Sequence, residues 1–128
     1  MTMDGIWAQR WFAVLRIMAG LLFFETGTAK LFGWPHNPNF DNIHAFQLLW
    51  FAGVIELVGG ALVTVGLFTR AAAFIMSGEM AFAYFISHAP RGFFPVTNGG
   101  VAAILYCFLF FYFFLVGAGI WSIDRARS

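Results

Sequence analysis

Charge is scarce in this chain. Of its 128 residues, 10% are Asp, Glu, Lys or Arg, against about 25% in an ordinary soluble domain. Seven basic and six acidic residues leave a formal net charge of +1, so no nucleic-acid partner is implied. Cys107 is the single cysteine, which excludes an internal disulfide, a CxxC redox pair and a cysteine zinc site. No phosphate loop, catalytic triad or flavin fingerprint occurs. A self-sufficient redox enzyme is therefore not expected, and no catalytic residue is assigned. Period-2 alternation is missing over the apolar stretches, which argues against barrel strands.

Apolar residues are abundant instead. They make up 61% of the chain, with 18 Phe, more than a small soluble interior can hide. Four stretches approach the roughly 20 residues needed to cross a bilayer core, at about 11–32, 46–68, 71–87 and 100–120. The expected fold class is all-α: one domain over residues 1–128, an integral membrane four-helix up-down bundle. The first stretch is read as a retained helix rather than a signal peptide, because Arg16 interrupts it and no small-residue cleavage site follows. Arg10, Arg70, Arg125 and Arg127 fall at one side and Lys30 and Arg91 at the other. The excess of basic residues marks the cytoplasmic side, so both termini and the turn at Thr69-Arg70 are expected there. Gly20 and Gly27, like Gly53 and Gly60, return to one face of their helices. Such small residues let membrane helices pack closely.

Ionisable groups inside the spans carry the most information, since each costs about 2.5–3.5 kcal/mol to insert and faces a helix neighbour or a wet cavity. They are Arg16, Glu25, Lys30, Glu56 and Glu79. On an ideal helix Arg16, Gly20, Gly27 and Lys30 share one stripe, and Gly53, Glu56 and Gly60 another. Glu25 lies opposite Arg16, toward a different helix or another copy. At 1.5 Å per residue, Arg16 is about 9 Å beyond Arg10 and Glu79 about 14 Å beyond Arg70, which puts an Arg16–Glu79 pair within reach of a long side chain. Glu56 sits about 21 Å from Arg70, and Lys30 about 30 Å from Arg10, where it snorkels to water or turns down to a carboxylate. The functional reading is a buried polar site of Arg16, Lys30, Glu56 and Glu79 that holds a head group or relays protons. The structural reading is a set of ion pairs fixing helix register. Both stay open at this stage.

His36, His44 and His88 fall on the outer side without metal-ligand spacing and read as interfacial residues; no metal site is assigned. His88 and Arg91 are candidates for an outer pocket mouth. The last stretch carries Tyr106, Phe108, Phe110, Phe111, Tyr112, Phe113 and Phe114, an aromatic wall suited to packing, to lipid or to an isoprenoid tail. Cys107 reads as a small packing residue.

One ordered set of residues is familiar: Arg16, Gly20, Phe24, Gly27 and Lys30-Leu31, then Glu56-Leu-Val-Gly59-Gly60, then Gly66-Leu-Phe-Thr-Arg70. Glu79-Met80, His88-Ala-Pro90, Phe93-Phe94-Pro95, Asn98-Gly99-Gly100 and Gly117-Ala-Gly119-Ile-Trp121-Ser122-Ile-Asp124 follow. From about Arg10 to Asp124 the chain resembles the DoxX family of small four-helix bacterial inner-membrane proteins. It departs from that pattern at Val101, where relatives carry an acidic residue after the Asn-Gly-Gly element.

The resemblance implies a multi-pass protein of the bacterial inner membrane. It implies a membrane subunit of a quinone-linked or thiol and oxidative-stress redox system, with no intrinsic cofactor, a quinone as bound molecule and a soluble or membrane redox protein as partner. Two other readings stand beside it: a membrane anchor or assembly factor for partner proteins, and a transporter of protons or a small solute, for which a homo-oligomer would be needed. Membrane lipid is a partner in every case.

Overall fold

The computed structural model describes residues 5–38 and 47–127. Helix α1 runs Ile6–Phe32, α2 Leu48–Val65, α3 Thr69–Ala83, α4 Pro95–Asn98, α5 Val101–Val116 and α6 Ile123–Arg127. No strand occurs among the described residues. His44, read above as an interfacial histidine, lies outside them.

The helix ends follow from glycine. Gly33 (φ 70°) and Gly66 (φ 72°) close α1 and α2 in the left-handed region, which glycine enters without a Cβ clash. At Gly66 the backbone N–H reaches back to the carbonyls of Leu62 and Val63. Helix α3 begins three residues later, so α2 and α3 are antiparallel neighbours. Gly117, at φ 85° and ψ −166°, ends α5, so the last apolar stretch stops at Val116 rather than near residue 120. The third continues past Ala83 as a π-helical turn, Tyr84–His88, and a 3₁₀ turn, Ala89–Arg91.

Helix α1 packs along α2, α3 along α5, and α2 along α3. The α1–α2 seam is backbone against backbone. A Cβ on Gly27 would lie 2.5 Å from the Leu57 nitrogen, and one on Gly60 2.5 Å from the Phe24 nitrogen. The two glycine faces read from the sequence thus meet each other. Gly59 faces α3, where a Cβ would lie 2.7 Å from the Met76 sulfur. A single apolar core joins the helices through Phe23 of α1, Val63 of α2, Met76 of α3, and Phe110 and Phe113 of α5.

Polarity is inverted relative to a soluble protein. Arg16, Glu56 and Asn98 are buried, while Trp7, Trp11, Leu21, Phe51, Phe82 and Phe108 are exposed. Two helices, α1 with 27 residues and α2 with 18, are each long and apolar enough to cross a membrane; α5 is apolar but shorter.

The seam has a direct test. Gly60→Ala places a methyl against the Phe24 backbone, which has no rotamer to change, and is expected to cost about 1–3 kcal/mol. Gly78→Ala meets nothing within 4 Å and is expected to be neutral or to gain up to about 1 kcal/mol of helix propensity. Thermal unfolding of both variants in detergent micelles checks the contrast.

Candidate functional site

The structure divides the predicted four-residue site into two clusters at different levels of the helices. The first surrounds Arg16, whose relative exposure is 0%. Its Nε donates to the Val63 carbonyl at 3.0 Å. Nη1 donates to the carbonyls of Ala118 at 2.5 Å and Ile120 at 3.1 Å, and Nη2 to that of Trp121 at 2.7 Å. Left-handed glycines at 117 and 119 (φ 85° and 74°) and Trp121 (φ 58°) fold the segment after α5 so that these carbonyls converge. The Arg16–Glu79 pair is therefore not formed. Arg16 spends its donors on one carbonyl in the last turn of α2 and three in the loop that follows α5, a partner set that helical depth alone does not reveal.

The same end of the molecule is closed by Asp124. Its carboxylate accepts from the N–H groups of Phe68 and Thr69, each at 2.9 Å, capping α3 from a remote segment. Its own N–H donates to the Gly66 carbonyl at 2.8 Å. Burial raises the Asp124 carboxyl, but the N–H groups of Thr69 and Phe68, with Arg127 nearby, outweigh it and hold the group below its ordinary value.

The second cluster joins α1, α2 and α3. Lys30 Nζ donates to Glu56 at 2.9 Å (Oε1) and 2.7 Å (Oε2), and the relative side-chain exposures of the pair are 12% and 1%. Thr26, one turn before Lys30, donates to Glu56 Oε1 at 2.6 Å. Of the two alternatives for Lys30, the inward turn to a carboxylate is the one taken. On the other side the carboxyl of Glu79 on α3 lies against that of Glu56. Glu79 Oε1 is buried without a donor among the described residues. Glu79 also lines a cleft of about 270 Å³ between α2 and α3, whose walls are otherwise almost wholly apolar.

Glu25 is exposed on α1 and belongs to neither cluster. His88 is bound through Nδ1 to the Asn98 carbonyl at 3.1 Å, while Arg91 is exposed; neither lines the cleft at Glu79. Sequence reasoning passed over two residues that build this structure. Thr26 was signalled by its four-residue spacing from Lys30 on one helix face. Asn98 is 1% exposed, donates to Tyr84 Oη at 3.1 Å and the Gly92 carbonyl at 3.0 Å, and accepts from the Gly100 N–H at 2.8 Å. Its only local signal was the turn-forming Asn-Gly-Gly run.

Buried charges, an apolar exterior and two helices of spanning length define a membrane-associated helical protein. The chain matches the DoxX family over residues 11–89, and a Haemophilus influenzae protein described only as uncharacterized is 48% identical to it over 117 residues, 88% of this chain and 87% of the other. This protein belongs to the DoxX family. No solved structure matches it.

Two variants test the first cluster. Arg16→Lys keeps the charge but loses the planar fork, and with at least two charged hydrogen bonds gone it is expected to cost about 3 kcal/mol or more in thermal or denaturant unfolding. Asp124→Asn is expected to lose about 1 kcal/mol at neutral pH, because an amide offers one acceptor oxygen where the carboxylate serves two N–H groups. Because the folded carboxyl is held low, its stabilisation is complete above about pH 4, the unfolded value, and is lost as pH falls through the folded value. Acid unfolding curves of the variant and the parent should therefore converge.

Proposed function

We propose that this chain forms a four-span up-down bundle in the bacterial inner membrane with both termini cytoplasmic. We further propose that it is the membrane subunit of a quinone-linked redox system, holding a proton while a partner protein supplies the electron carrier. The observation that carries this reading is the Lys30–Glu56–Glu79 chain set inside an apolar mantle.

Two carboxyl groups pressed together out of water avoid carrying two charges by keeping one proton between them. Glu56 already accepts from Lys30 and Thr26, so we place that proton on Glu79. Lys30 balances the charge of Glu56. The pair thus stores one exchangeable proton at the wall of a cleft open to apolar molecules. A quinone head bound there would take up or release electrons together with protons. Glu79 stands where the proton of such a head would be exchanged, and Glu56 and Lys30 set how readily Glu79 parts with its own. The residues present fit such a head group in its reduced form: an apolar wall for the ring and one carboxyl oxygen to accept from its hydroxyl. The orientation is supported by the gathering of Arg10, Arg70, Arg125 and Arg127 near the end where Arg16 and Asp124 tie the chain together.

The test is native mass spectrometry of the protein gently extracted from its own membrane, followed by quinone reduction assays on the isolated assembly. The expected result is a complex with a redox protein and retained quinone. Within it, Glu79→Gln should leave the assembly intact and lower quinone-linked turnover by about 100-fold, the usual worth of a positioned acid or base. A homo-oligomer carrying lipid alone would contradict this reading and favour anchoring or transport.

A further inference from the structure

The cleft between α2 and α3 carries three features that packing within the chain does not explain. Among the described residues its one charged lining residue is Glu79. Its Oε1 is buried with no donor among them, so the other oxygen of the carboxyl is the one a ligand in the cleft can meet. Gly78, the neighbour of Glu79, lies on the same wall, and a Cβ there would meet nothing within 4 Å. A mid-helix glycine is less favourable than alanine, yet no close approach among the described residues requires this one, in contrast to Gly27 and Gly60. Finally, the outer end of the cleft, at Ile86 and Ser87, is formed by the π-helical turn, an irregularity frequent at functional sites.

We propose that this cleft is a lateral binding site for a neutral, hydroxyl-bearing amphiphile with a single hydrocarbon chain, its hydroxyl donating to Glu79. This deepens the reading above by naming the ligand class of the same site, and it rests on that reading for the proton shared by Glu56 and Glu79. The ligand must donate, because the oxygen of Glu79 left over from its contact with Glu56 is an acceptor. It must be neutral, because Lys30 and Glu56 already balance and a further charge would be desolvated without a counterion. It must be largely apolar, because the walls are Phe51, Ala52 and Ile55 on one side and Ile75 and Phe82 on the other. A volume of about 270 Å³ suits one ring or a few methylenes, so the rest of a chain lies outside, along the exposed rims at Phe51 and Phe82.

The test uses two photoactivatable probes, a 4-alkylphenol with a diazirine in its chain and the methyl ether of the same molecule. Each is applied to the whole protein in phosphatidylcholine nanodiscs and the labelled peptides are mapped. The expected result is saturable labelling of α2 and α3 around residues 51–55 and 75–82 by the phenol, at least ten times stronger than by the ether. Gly78→Leu, which fills open space, should abolish it with no loss of thermal stability. Glu79→Leu should abolish it as well. Glu79→Gln should retain it, because the amide turns its NH2 to Glu56 and its carbonyl to the ligand, even though this variant is the one expected to stop proton exchange. Equal labelling by phenol and ether, labelling spread over all lipid-facing helices, or undiminished labelling of Gly78→Leu would each overturn the proposal. Failure to find a redox partner would overturn the function proposed above while leaving the labelling result standing.

Discussion

Close approach of the α1 and α2 backbones is the constraint on which the rest depends. With glycine at 20, 27 and 60, the two helices meet so closely that a Cβ at any of these positions would lie 2.5–2.6 Å from a backbone nitrogen of the facing helix. Only at that distance does Lys30 lie over Glu56 and Arg16 over the Val63 carbonyl. Gly53 belongs to the same seam, since a Cβ there would lie 3.0 Å from that of Lys30. In lipid no hydrophobic force pulls helices together. Packing and internal polar contacts must do so, and here the same glycine faces provide both.

The two polar clusters solve different problems. Arg16 carries a guanidinium with five N–H donors that must be satisfied wherever it is buried. Backbone carbonyls from two chain segments do this, with Asp124 fastening the same region from outside. That cluster is closed: its hydrogen bonds go to fixed backbone groups and give chemistry nothing to exchange. The cluster at Lys30 is open on one side. Glu56 is held by Lys30 and Thr26, whereas Glu79 has one neighbour and a cleft. The difference between architecture and chemistry in this molecule is the difference between a guanidinium with its partners in place and a carboxyl with capacity left over.

Much of this was legible in the sequence because few residues here are polar, and each polar one has to be accounted for. The glycine faces, the placement of Glu56 on the close-packed side and the inward turn open to Lys30 all follow from 3.6-residue periodicity and the scarcity of charge. Depth counting failed for Arg16, because its partners are carbonyls and carbonyls leave no mark in a sequence. The end of α5 was misjudged for a related reason: Ala118 and Ile120 are apolar, but they belong to the loop that feeds Arg16. Which way Glu79 faces depended on the rotation of α3, set by Gly59 receiving Met76, a contact between helices that no local pattern announces.

The chemistry proposed for the Lys30 cluster turns on one proton shared by Glu56 and Glu79 inside the apolar mantle. Infrared spectroscopy of the protein in lipid nanodiscs at neutral pH addresses it most directly, through the carbonyl stretch of a protonated carboxylic acid. Such a band is expected in the parent protein, absent in Glu79→Gln and shifted in Lys30→Met, where the balancing cation is gone. A spectrum without a protonated carboxyl at neutral pH, or a band unchanged in Glu79→Gln, would contradict it.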